Sequence, residues 1–269
     1  MITGGPFTSP GATLGFTTIS REAARVPEEG WSELVADVVD HLIASALAAP
    51  PHLGREELRT QLFPRFSAPG RIPEERLAED YTYARRVAGM PLLLAVRQSQ
   101  ASAFLADIHL AKAGGAEAAW ETAAANLEAA PFGEPTAYRA PSGATVIVFE
   151  SEHPRQAAWL AYPERLAERL GLEIGPLGVL FCVPAHRQLG LYIVDEETTL
   201  ADVHRMIELA SILGEDEVAP LSPHLFWWRP GEPVTAATVE GPDGLVIALP
   251  EGILGTVAGH GADFDTIDG

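Results

Sequence analysis

Apolar positions recur at steps of four from Trp31 to Leu47: Leu34, Val38, Leu42 and Ala46 form one stripe, with Val35 and Ile43 beside it. That spacing predicts an amphipathic helix, stopped by Pro50-Pro51. Shorter helices are expected over Arg55 to Leu62 and over Pro73 to Val87, where Pro73 suits a first helical turn. Ahead of them, Gly4, Gly5, Pro6, Pro10 and Gly11 mark residues 1–20 as an irregular arm. Residues 21–90 thus read as a helical N-terminal region, with Ser67 to Arg71 a loop inside it rather than a linker.

The pattern changes at Pro91. Leu92 to Val96 is a short apolar run, and Ala103 to Leu110 is a second strand candidate. After the Gly114-Gly115 break, Ala116 to Ala129 reads as an alanine-rich helix with Trp120, Ala123 and Leu127 on one face. Thr136 to Arg139 and Ala144 to Phe149 predict a hairpin across Pro141-Ser142-Gly143. Arg155 to Leu170 reads as helical pieces interrupted at Pro163. Gly178 to Val183 and Leu189 to Val194 are two buried strands joined by Pro184-Ala185-His186-Arg187. Thr199 and Asp202 cap a helix to Leu213 whose Leu200, Val203, Met206, Ile207 and Ala210 keep a 3.6-residue period up to Gly214. Leu225 to Trp228, Val234 to Glu240 and Leu245 to Leu249 form a meander, with Gly241-Pro242-Asp243-Gly244 as its hairpin turn. Hairpins separated by irregularly spaced helices predict an α+β fold: a helical N-terminal region, then an antiparallel or mixed sheet with packed helices over residues 91–254. Residues 255–269 read as a loose acidic tail.

Three segments carry a resemblance. Trp120-Glu121-Thr122-Ala123-Ala124-Ala125-Asn126-Leu127 resembles the W-x-x-A-x-x-NL helix of the uncharacterised DUF1444 family. Pro91 to Leu110 is similar to the strand pair that leads into that helix, and Trp159 to Ile193 to the stretch after it, with Pro163 and Leu166 and then Val183-Pro184-Ala185-His186-Arg187. The likeness spans roughly residues 85–230. It implies an α+β sheet domain in the centre and C-terminal half, and it brings no activity, cofactor or catalytic residue.

Length and composition narrow the class. A chain of 269 residues fits one large domain or two modest ones. The apolar stretch Leu42 to Pro51 falls far short of the roughly 20 residues a membrane span needs, and Met1 to Thr17 lacks the features of a signal peptide. Cys182 is the single cysteine, so no intramolecular disulfide and no cysteine zinc cluster can form. Lys112 is the sole lysine, a bias that fits a high-GC bacterium. The expectation is a soluble protein of the bacterial cytoplasm with no membrane partner.

Charge changes the picture further. The net charge of −19 argues against nucleic acid or anionic lipid as the main partner. From Asp195 to Gly269 there are fifteen Asp and Glu against only Arg205 and Arg229, a local net of −13. This acidic third, with Glu215, Asp216 and Glu217 at its centre, is either a solubilising surface or a docking face for a basic protein partner. Trp227 and Trp228, adjacent in a strand, point to opposite faces, so one is core while the other needs a cover: a helix, a ligand or a partner chain.

Few residues point to chemistry. Lys112 is followed by Ala113, not a hydroxyl, so there is no P-loop; Gly259 and Gly261 lack a third glycine; no G-x-S-x-G is present. Cys182 in the middle of an apolar strand reads as an inert core thiol. His204 and Glu208, four apart on a helix, are candidate metal ligands or a solvated polar face. His153, His186 and His224 are candidates to meet at strand ends. His186 and Arg187 occupy a loop between buried strands, where imidazole and guanidinium suit a carboxylate or phosphate; the alternative is an exposed hairpin tip. The leading expectation is therefore a non-enzymatic interaction protein that uses its acidic C-terminal half and needs no cofactor. The second is a hydrolase or transferase acting on a small anion near His186 and Arg187.

Overall fold

The computed structural model describes residues 7–9, 12–14, 23–24, 26–37, 54–97, 102–140, 143–215, 217, 220–242 and 244–259. The chain divides into two compact units, residues 1–52 and 53–269. In the first, β1 (Phe7–Ser9) pairs antiparallel with β2 (Ala12–Leu14), so the expected irregular arm contains a hairpin. Residues 31–37 are helical, and the Trp31 indole donates to the carbonyls of Ala23 and Val26. The continuation of that helix to Leu47 lies outside the described residues.

The second unit is α+β with antiparallel sheets. A smaller sheet contains β3 (Leu62–Phe66), β4 (Arg85–Val87), β5 (Met90–Arg97) and β6 (Ser102–Phe104), all paired through β5. A larger sheet has the order β12-β11-β9-β10-β8-β7. Its strands are β7 (Glu134–Arg139), β8 (Thr145–Glu150), β9 (Val179–Cys182), β10 (Gln188–Ile193), β11 (Leu225–Trp228) and β12 (Thr235–Ala236). β13 (Thr238–Gly241) and β14 (Gly244–Ile247) form a separate hairpin. The helices are α1 (Arg55–Gln61), α2 (Glu74–Asp80), α3 (Ala116–Ala129), α4 (Pro163–Leu170), α5 (Leu200–Glu215) and α6 (Glu251–Gly259).

Several boundaries differ from expectation. The helix expected from Pro73 ends at Asp80, and β4 turns into β5 through Ala88 and Gly89, both with positive φ (47° and 86°). Residues 62–90 therefore belong with the sheet that follows them, and a domain break at residue 91 would cut into β5. Ser102–Phe104 is a strand, but Asp107–Ala113 is a 3-10 helix rather than its continuation. Helix α6 occupies the start of the expected loose tail.

Side-chain alternation through the larger sheet builds two cores, because successive residues of a strand point to opposite faces. Ile147, Phe149, Val179, Phe181, Leu189, Leu191, Phe226 and Trp228 pack toward the smaller sheet, with Leu62, Phe66, Leu92, Leu94 and Val96 and with Trp120, Ala123 and Leu127 of α3. Asn126 ties α3 to the smaller sheet by donating to the carbonyls of Arg59 and Leu62. On the other face, Val146, Val148, Leu180, Cys182, Tyr192, Leu225 and Trp227 are covered by Val203, Met206 and Ala210 of α5 and by Ile253 and Val257 of α6. Helix α5 begins as the sequence indicates: the Asp202 carboxylate accepts from the Thr199 amide at 2.9 Å. Among the described residues no helix is long and apolar enough to cross a membrane.

Two close approaches depend on glycine. A Cβ on Gly178 (φ 82°) would collide with the Trp228 carbonyl. A Cβ on Gly190 would collide with the Cys182 sulfur, its partner across β9 and β10. Gly190→Ala is therefore expected to cost about 1–3 kcal/mol by overpacking. Adding Cys182→Ala should recover most of that loss, because the colliding atom is then gone. Urea unfolding of the two single variants and the double variant checks this, and additive losses would refute it.

Candidate anion-binding site

The register of the smaller sheet places Phe63 and Arg65 of β3, Leu93, Ala95 and Arg97 of β5, and Ser102 and Phe104 of β6 on one face. Phe63 and Ala95 are fully buried, and the basic side chains lie around them. The Arg65 guanidinium reaches across the sheet to the Phe104 ring (5.8 Å to its centroid), with Nη1 3.5 Å from the Ser102 carbonyl. Arg155, from the connection after β8, stacks over Phe63 at 5.0 Å. Arg97 lies 3.5 Å from His153 Nε2 in that same connection. The loop between β9 and β10 comes alongside, since the His186 carbonyl accepts from Ala157 N–H and the Arg187 carbonyl from Ser151 N–H. It brings His186 into the field of Arg65 and Arg71.

This arrangement makes two neighbouring basic groups: Arg65 and Arg71 with His186, and Arg97 and Arg155 with His153. Each group perturbs its own members. Burial and then the charges of Arg65 and Arg71 push the His186 imidazole down to about 3, so it is neutral at physiological pH. Burial and then Arg71 push Arg65 down to about 10. Arg155 is lowered by burial and Arg97, and His153 by burial, Arg97 and Arg155, with Glu152 opposing. Among the described residues none of these four arginines forms an ion pair with a carboxylate. The Nε atoms of Arg65 and Arg155 are buried and have no hydrogen-bond partner. Buried cations are ordinarily paired. Here an aromatic ring, not a carboxylate, lies beside each of these two guanidinium groups.

The other expected site residues are engaged elsewhere. Arg187 is exposed beside Glu150 (3.9 Å) and Glu217 (3.6 Å), so it does not join its neighbour His186 in the basic cluster. Trp227 and Trp228, candidate interaction residues, are both buried, at 2% and 1% exposure, so the cover is a helix of the same chain rather than a ligand or partner chain. The reason is that both faces of β11 are covered, one by the smaller-sheet side and one by α5 and α6. Glu215 is exposed at the end of α5, and Asp216 lies outside the described residues. His204 and Glu208 are exposed on α5, where Glu208 pairs with Arg205, and no metal-holding group of three occurs among the described residues. His224 contacts Thr238 and Glu240 rather than His153 or His186. Cys182 is fully buried with its thiol pushed up to about 12 by burial, which makes it the inert thiol expected.

Surface hollows among the described residues also occur away from this face. One, of about 440 Å³, lies between β8, β10 and the start of α5, and its Tyr192, Thr199 and Asp202 serve the Tyr192–Thr198 and Thr199–Asp202 bonds. Another, of about 550 Å³, is lined by Glu128, Arg165 and Arg169, and its Glu128 and Arg165 pair with each other. Sequence reasoning found His186 but not Arg65, Arg71, Arg97 or Arg155. The available signal was an arginine inside the apolar strand Leu62-Phe63-Pro64-Arg65-Phe66. No family model, no curated protein and no solved structure matches this chain.

Proposed function

We propose that this chain is a non-catalytic binding module that holds an anionic group of a ligand against the basic face of its smaller sheet. One observation carries the reading: in a chain of net charge −19, four arginines gather on one face with no carboxylate partner among the described residues. A chain with 37 acidic residues has ample means to neutralise them, yet it leaves two of these cations partly buried with orphaned Nε donors. Binding rather than chemistry is favoured because His186, ionising near 3, is a poor general base at neutral pH.

The alternative of a docking face made by the acidic C-terminal third has less support. Many of its carboxylates serve local bonds: Asp195 accepts from the Glu197 amide, Asp202 caps α5, Glu217 faces Arg187, Glu232 pairs with Arg229 and Glu240 faces His224.

Thermal unfolding in the presence of small anions tests the proposal. Millimolar phosphate or citrate is expected to raise the melting temperature of the wild type and of Arg187→Met. The same anions should leave Arg65→Met/Arg155→Met unmoved. An equal rise in that double variant, or no rise in the wild type, would overturn it.

A further inference from the structure

We infer that the group held on this face is a tetrahedral dianion of the phosphate class, and that its binding takes up a proton on His186. This rests on the anion-binding reading above and narrows it.

The charge count supports a dianion. Arg65, Arg71, Arg97 and Arg155 bring four positive charges, none in an ion pair with a carboxylate among the described residues. The one carboxylate among the charges that shift Arg65, Arg155, His153 and His186 is Glu152, beside His153. A monocarboxylate would leave most of that charge uncompensated, whereas a phosphate monoester neutralises two charges and offers three oxygens. Two guanidinium groups lie over aromatic rings, Arg65 over Phe104 and Arg155 over Phe63, and a guanidinium carries paired in-plane N–H groups that take phosphate oxygens two at a time.

Proton uptake follows from where His186 sits. It faces Arg65 of β3 and Arg71 of the connection after β3. Its carbonyl is bound to the 3-10 helix headed by Arg155, and its chain neighbour Arg187 lies between Glu150 and Glu217. Burial, Arg65 and Arg71 all disfavour an imidazolium at this position, and Glu150 and Glu217 face Arg187. An arriving dianion cancels the field of Arg65 and Arg71 and accepts a hydrogen bond from the ring. One proton then moves from solvent to the imidazole, and no covalent bond changes.

Isothermal titration calorimetry at pH 5 with sulfate, a dianion that does not itself titrate there, isolates the protein's proton. Run in two buffers of different ionisation enthalpy, it should show close to one proton taken up per sulfate by the wild type and none by His186→Gln. At about pH 7.5, where inorganic phosphate is mostly the dianion, phosphate and sulfate should bind about tenfold or more tighter than acetate. Acetate binding as tightly as phosphate would overturn the ligand class and leave the anion-binding reading standing. Absence of binding by all three would remove both. Sulfate binding with no proton uptake, or with the same uptake in His186→Gln, would overturn the role of His186. A phosphoserine peptide run beside inorganic phosphate separates the sources: tighter binding of the peptide assigns a phosphorylated macromolecule, and equal or weaker binding assigns a small phosphate.

Discussion

Trp228→Ala is expected to lower the free energy of unfolding by about 3–5 kcal/mol, the usual loss for a fully buried tryptophan. Trp228 lies on β11 with 1% of its surface exposed, in the core between the two sheets that also holds Phe181, Leu191 and Phe226. Its indole Nε1 is buried without a hydrogen-bond partner, so Trp228→Phe should cost much less, because it discards an orphaned donor while keeping most of the apolar contact. Trp227 behaves differently. Its Nε1 donates to the Leu177 carbonyl at 2.8 Å, and removing that donor leaves a carbonyl unpaired. Urea unfolding of Trp228→Ala, Trp228→Phe and Trp227→Phe, with light scattering on each, checks the assignment. A Trp228→Ala protein of undiminished stability and altered oligomeric state would return this residue to an interface.

The elements that could be read from the sequence are those whose punctuation is local. Helix α3 starts where Gly114 and Gly115 adopt φ of 88° and 95°, and α5 starts where Thr199 and Asp202 bond each other. The β7–β8 and β9–β10 hairpins follow directly from apolar runs flanking short turns. The first half of the smaller sheet was hidden because its signals conflict. Pro64 argues against a strand, and is tolerated because β3 stands at the end of its sheet order, β3-β5-β4. The turn into β5 uses Ala88 at positive φ, a position where glycine or asparagine would have been legible.

The candidate site was less legible for a different reason. Arg65, Arg71, Arg97, Arg155 and His186 come from four separate stretches of chain, and each alone looks like a surface residue. Only the register of β3, β5 and β6 puts Arg65 and Arg97 on one face. Only the pairing of the two loops through Ala157 and Ser151 brings His186 beside them. Even the charge pattern pointed elsewhere. The −13 of the last 75 residues marks the C-terminal third, whereas the cluster is a small positive group in a negative chain, without carboxylate partners among the described residues.

That cluster should make the empty protein sensitive to acid in a way an anion corrects. His186 has its proton affinity lowered from the ordinary 6.5 to about 3, so between these values the unfolded chain binds a proton that the folded chain refuses. Stability contributed by this group is thus full above pH 6.5 and is lost as pH falls toward 3, by about 2–3 kcal/mol after allowing for solvent at its exposed edge. Carboxylates titrate in the same range, so the readout is the difference between the wild type and His186→Gln, which lacks the group. Arg65→Met should act in the opposite direction at pH 7: without anion it should raise stability by about 1–2 kcal/mol, since it removes a desolvated charge that nothing balances. It should also shrink the His186 acid loss and abolish stabilisation by millimolar sulfate. Urea titrations at pH 7 and pH 4, with and without sulfate, measure all of these together. If Arg65→Met instead weakens the anion-free protein by more than about 1 kcal/mol, and sulfate still stabilises it as it does the wild type, the arginine is a packing residue and the basic face is not a binding site.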